Sequence, residues 1–106
     1  MEQPRRIDAL MNMLVREPDD LFLNYAIGIE YLAESNFVHA ESSFRKVIAL
    51  DADYVAAYYQ LGKLFESQQD ITHAFQYYKS GLEKAKLKKD HKAISEFGEA
   101  LFMLED

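Results

Sequence analysis

Cysteine is missing from the 106-residue chain, and with it go disulfides, thiolate nucleophiles and Cys-based zinc sites. Proline and glycine are scarce, at two and four residues, so long stretches run free of both breakers and helix is expected throughout. No apolar run approaches the roughly 20 residues that a membrane helix needs. The opening MEQPRRIDAL carries two arginines, but neither an apolar h-region nor a small-residue cleavage site follows. The expectation is a cytoplasmic protein with no membrane partner.

Positive charge is also in short supply: 12 Lys and Arg stand against 18 Asp and Glu, a net charge of −6. Nucleic-acid modules draw most of their affinity from phosphate neutralisation by a basic face. The one basic cluster here is Lys84, Lys86, Lys88, Lys89 and Lys92. Glu83 and Asp90 stand next to its lysines and no stacking aromatics interleave it. It reads as a solvated helix end, its lysines near the negative pole of the helix dipole. No nucleic-acid partner is expected.

What is present is apolar and periodic. Apolar residues make up 49% of the chain and aromatics 13%, enough for one folded domain with a modest core. A 34-residue period runs through it, pairing Tyr25 with Tyr59, Gly28 with Gly62, His39 with His73 and Ala40 with Ala74. Ile27 and Leu61, Tyr31 and Phe65, Asn36 and Asp70, and Phe44 and Tyr78 pair conservatively at the same offset. Each period spells two helices. In Tyr58-x2-Leu61-Gly62-x2-Phe65 the large residues share one face, and Gly62 beside them is expected to let a neighbouring helix backbone come close. Then Ala74-x3-Tyr78 sets a small residue one turn before a large one, as Ala40-x3-Phe44 does in the first period. Asp20, Asp53, Asp70 and Asp90 are expected to serve as N-caps.

On these residues the chain resembles the tetratricopeptide-repeat (TPR) family, whose motif runs from a large residue through x2-Leu-Gly-x2-Tyr to Ala-x3-Phe and a closing Pro. Residues 21–54 and 55–88 each cover one repeat. Asn24 departs from the family's large aromatic and Ala52 from its closing Pro. Pro18 falls one period before Ala52, so residues 4–17, with Ile7, Leu10, Met11, Leu14 and Val15 at helical spacing, resemble the second helix of an incomplete repeat. Downstream the frame slips by two, and Ile94-x2-Phe97-Gly98-x2-Leu101 makes residues 90–105 a C-terminal capping helix. The resemblance implies an all-α antiparallel helix-pair solenoid, one TPR domain over residues 1–106, with about six helices.

It also implies a concave groove lined by the first helix of each repeat. Carried over by position, its residues are Phe22, Tyr25, Ile29 and Leu32, then Ala56, Tyr59, Lys63 and Glu66. A TPR subclass grips chaperone C-terminal carboxylates with Lys and Asn, where this chain has Tyr25, Ile29 and Lys63, so such tails are not expected as ligands. His39, His73 and His91 read as surface polar residues, not metal ligands. No Gly-rich phosphate loop and no Ser-His-Asp order is found, so neither an enzyme nor a cofactor is expected. The expected function is protein–protein interaction, binding a peptide or helix of a partner protein. The alternative is a homodimer covering apolar end surfaces at Ile7, Met11, Phe102 and Met103, or a regulatory fragment of a larger protein.

Overall fold

The boundaries of the helices follow from how their ends are capped. The computed structural model describes residues 5–105. Among these residues there are six α-helices and no strand: α1 (Arg6–Arg16), α2 (Leu21–Ala33), α3 (Phe37–Leu50), α4 (Val55–Ser67), α5 (Ile71–Leu87) and α6 (His91–Leu104). Pro4, where the sequence reading opens its first helix, and Asp106 lie outside the described residues.

A carboxylate or amide oxygen closes the N-terminus of four helices. Asp20 accepts from the Leu23 N–H at 2.8 Å, Asn36 from His39 at 3.3 Å, Asp70 from His73 at 3.2 Å and Asp90 from Ala93 at 3.1 Å. The fourth expected aspartate does not cap. The N-cap of α4 is Tyr54, with no side-chain hydrogen bond to the helix, while Asp53 lies one residue further out. Its carboxylate is directed instead to Lys84 Nζ on α5, 3.2 Å away.

The turns after α2, α4 and α5 share one construction. Ser35, Gln69 and Lys89 adopt left-handed backbone, with φ of 57°, 62° and 57°. In each turn the residue after them returns its N–H five residues back: Asn36 to the Tyr31 carbonyl, Asp70 to Phe65 and Asp90 to Ala85. That same residue then caps the next helix. One residue therefore ends one helix with its backbone N–H and starts another with its side chain, which sets antiparallel neighbours with a minimal loop.

Asp70 shows how this device depends on charge. The His73 backbone N–H, and then the His73 ring, hold its carboxyl below the ordinary carboxylate range. A depressed folded-state pKa contributes stability that is complete above the unfolded-state pKa and is lost as pH falls through the folded one. Asp70→Ala is accordingly expected to lower Tm by a few degrees at neutral pH, with the gap to wild type closing in acid. A pH series of thermal melts checks this; a gap independent of pH would place the cap's contribution elsewhere.

The chain divides into two compact units at Ala52/Asp53. In the first, α1 packs on α2 and α2 on α3. Ile7, Leu10, Leu23 and Ile27 form its core, flanked by Leu14, Ala26 and Tyr31. Ile7, expected on an apolar end surface, is therefore an interior residue, 3% exposed; Met11, Met13 and Val15 are the large apolar residues that α1 exposes. Asn24, at the family's aromatic position, is buried, and its Nδ2 donates to the carbonyls of Pro18 at 3.0 Å and Asp20 at 2.8 Å. Where an aromatic would fill space, this amide fastens the α1–α2 turn, and Lys46 Nζ reaches the same Pro18 carbonyl.

In the second unit α4 packs on α5 and α5 on α6. Its core holds Tyr58, Leu61, Leu64, Phe65, Tyr78 and Phe97. The glycines do not admit a neighbouring backbone, as the sequence suggested, but an aromatic ring. A Cβ on Gly62 would lie 2.3 Å from the Tyr78 ring, and in the first unit a Cβ on Gly28 would lie 2.6 Å from the Phe44 ring. The small residue of one helix is the seat for the large residue of the next.

Candidate functional site

The residues carried over from the repeat pattern fall on α2 and α4, so each unit holds its own share. In the second unit three of them meet. Tyr59 is half-buried, its ring 5.9 Å from Tyr78 and 5.6 Å from Phe97, the latter edge-on. One turn along α4, Lys63 places its ammonium over the outer face of that ring, 5.5 Å from the centroid. A further turn on, Glu66 accepts a 2.8 Å hydrogen bond from the Tyr78 hydroxyl. Burial, and next the bond to Glu66, push the Tyr78 phenol far above its ordinary range, so it remains a fixed donor that orients the Glu66 carboxylate.

Tyr59, Lys63 and Glu66 border one cleft of about 250 Å³, and Tyr78, Glu96 and Glu99 complete its polar and aromatic rim. Glu96 and Glu99 come from α6 and are not among the residues that the repeat pattern places in the groove. The signal for their role is spacing: Glu96, Glu99 and Met103 repeat at i, i+3 and i+7 on a second face of α6, beside the face that carries Phe97. Three carboxylates and one ammonium around an aromatic floor make a site that is apolar at its base and negative at its edge. Ala56 is exposed on α4 and takes no part in the lining.

The first unit is arranged differently. Phe22 is 67% exposed at the start of α2, and Tyr25 is half-buried with its ring 5.6 Å from Phe44. Ile29 and Leu32 are half-buried on the same helix. A cleft of about 230 Å³ in this unit opens among Met11, Leu14, Tyr31, His39 and Lys46, and none of those four predicted residues lines it.

Two of the three histidines belong to the turns. His39 Nδ1 lies 2.9 Å from the Asn36 side chain with its ring on Tyr31, and His73 Nδ1 lies 2.7 Å from Asp70 with its ring stacked on Phe65. His91 is exposed at the start of α6. Among the described residues no three His, Cys, Asp or Glu side chains converge as a metal site would require, and no helix is long and apolar enough to cross a membrane.

Helix pairs repeating at 34 residues, each seating an aromatic ring on a glycine, define an all-α helical-repeat protein. No family model and no curated protein sequence matches the chain. Solved structures do match. A crystal structure of a tetratricopeptide repeat domain protein of Salinibacter ruber is 35% identical, with a TM-score of 0.76 over 81% of this chain and 96% of that one. A solution structure of such a domain protein from the same organism is also 35% identical, with a TM-score of 0.78 over 83% of this chain and 89% of that one. A Bordetella parapertussis protein solved in solution is 27% identical, with a TM-score of 0.86 over 97% of this chain and 90% of that one. The chain belongs to the tetratricopeptide-repeat family, and a protein-interaction scaffold is the general role that goes with this fold.

Proposed function

We propose that the chain binds a segment of a partner protein, without catalysis, and that the Tyr59–Lys63–Glu66 cleft is where the partner is held. The observation that supports this reading is the meeting of these three side chains around one opening whose floor is aromatic. Partly exposed tyrosines suit such work, because they offer rigid apolar area together with a hydrogen-bonding tip. The surplus of carboxylate over ammonium sets the polarity of the ligand. The favoured partner segment carries an apolar residue for the cleft and a lysine or arginine beside it for Glu66, Glu96 and Glu99. An acidic C-terminal tail of a chaperone would meet those same carboxylates and be repelled. In the first unit Phe22, Tyr25, Ile29 and Leu32 are proposed to give further contacts to a partner, and Tyr25→Ala tests their part.

The decisive comparison is between the wild-type chain and Glu96→Lys/Glu99→Lys, which reverses the local charge at two exposed positions without touching the core. A partner captured by wild type is expected to be lost from the variant, and a peptide from that partner is expected to bind wild type at least about tenfold more tightly in a titration. A set of captured partners unaffected by the reversal and by Tyr25→Ala/Tyr59→Ala would remove the cleft as the binding site.

A further inference from the structure

The outer face of α6 repeats a motif and leaves it unfinished. Gly28 and Gly62 are each followed by a helix that lays a ring on them, Phe44 and Tyr78, four residues after the buried Ala40 and Ala74. Gly98 stands in the same motif, after Phe97, yet nothing lies within 4 Å of where its Cβ would be. It is an open seat. Phe102, one turn further along α6, is 73% exposed. Toward the C-terminal end of α6, Ile71 and Phe75 of α5 and Leu104 of α6 line an open apolar cleft of about 390 Å³. The unit therefore carries a vacant hole and an unburied knob on one helix, four residues apart and hence on one face.

We infer that a second copy of this chain fills the seat. Two α6 helices pack antiparallel about a two-fold axis at the level midway between Gly98 and Phe102, and Phe102 of each copy lies on Gly98 of the other. A hole and a knob at i and i+4 are self-complementary only in this antiparallel arrangement, which is the closed, isologous kind of contact. The charges on the helix fit it. The pairing that sets 98 against 102 also sets Ser95 against Glu105 of the other copy, a hydroxyl against a carboxylate. Glu96 stays out of the seam, on the flank of α6 that borders the Tyr59 cleft, while Glu99, three residues before Phe102, stands between the cleft and the seam. The dimer thus leaves Tyr59, Lys63, Glu66 and Glu96 open to a partner, and its failure would not touch that reading. One helix with the edge of α5 makes a contact at the small end of the range for specific association, so the dimer forms in the micromolar range or weaker. Each copy carries −6, so added salt strengthens it.

Sedimentation velocity across micromolar to millimolar chain is expected to show a monomer passing to a dimer. Gly98→Leu fills the seat from within its own chain, where space is open, so it keeps the helical circular dichroism and thermal stability of wild type. It is expected to weaken dimerisation at least tenfold, as is Phe102→Ala. Ser95→Lys, facing Glu105 of the other copy, strengthens the dimer severalfold, and Ser95→Glu weakens it. A chain that stays monomeric at millimolar concentration, or a dimer indifferent to Gly98→Leu and to both changes at Ser95, overturns the proposal. The first of these outcomes would leave the seat to a helix of a different protein.

Discussion

Tyr78→Ala is expected to destabilise the chain by about 3–5 kcal/mol, the range for emptying a buried aromatic site. Tyr78 is 1% exposed and stands where three contacts converge. Its ring fills the space above Gly62, packs against Tyr59 and lies 6.4 Å from Phe97 at a steep angle. Removing it opens a cavity that Gly62 cannot close, since the glycine has no side chain to move inward. The loss is a large share of the roughly 5–15 kcal/mol available to a domain of this size. Tyr78→Phe separates the ring from the hydroxyl. It keeps the packing and gives up only the bond to Glu66, whose carboxylate is exposed and returns to water, a change of about 1 kcal/mol. Urea unfolding of both variants checks the pair. Equal losses would mean that the hydroxyl, not the ring on the glycine, holds the two helices together. Because Tyr78 also orients Glu66, Tyr78→Phe is expected to weaken partner binding more than it weakens the fold.

The all-α repeat was legible because its strongest signals are local and recur. Ala40-x3-Phe44 and Ala74-x3-Tyr78 announce the knob of each second helix, and Asp20, Asp70 and Asp90 each cap the helix that follows them. What escaped the sequence depends on which of two neighbours a side chain chooses. Asp53 had a helix to cap and a lysine 31 positions away to pair with, and only the packing of α5 on α4 brings Lys84 close enough to decide the matter. Asn24 reads as a defect in the motif until the Pro18 and Asp20 carbonyls are seen to converge on its amide. The candidate site was half legible. Tyr59, Lys63 and Glu66 lie on α4 at i, i+4 and i+7, a helical face readable from spacing alone. Glu96 and Glu99 join them from another helix, across a distance in sequence that no period spans. The glycines were noticed for the right reason, the room they leave, but the ring that takes the room lies 16 residues on, at Phe44 and Tyr78.

Gly81→Val is the second large effect, expected to cost at least about 3 kcal/mol, the upper end of the range for overpacking. The position is pinched from two sides. A Cβ there would lie 2.4 Å from Phe97 Cζ on α6 and 2.8 Å from Tyr58 Cβ on α4. A ring tip can pivot, but a Cβ is fixed to its own main chain, so relief requires α4 and α5 to separate. That separation would also pull Tyr78 away from Gly62, and the damage spreads through the unit. Gly98→Val supplies the internal control. It makes the same chemical change in a helix, but in open space, where only helix propensity acts and valine is no worse than glycine. The comparison belongs at low chain concentration, where association adds nothing to stability. Urea midpoints that fall sharply for Gly81→Val and stay at the wild-type value for Gly98→Val would separate a filled seat from a vacant one within a single chain. Equal midpoints for the two variants would mean that the ring of Phe97 does not sit where the structure places it.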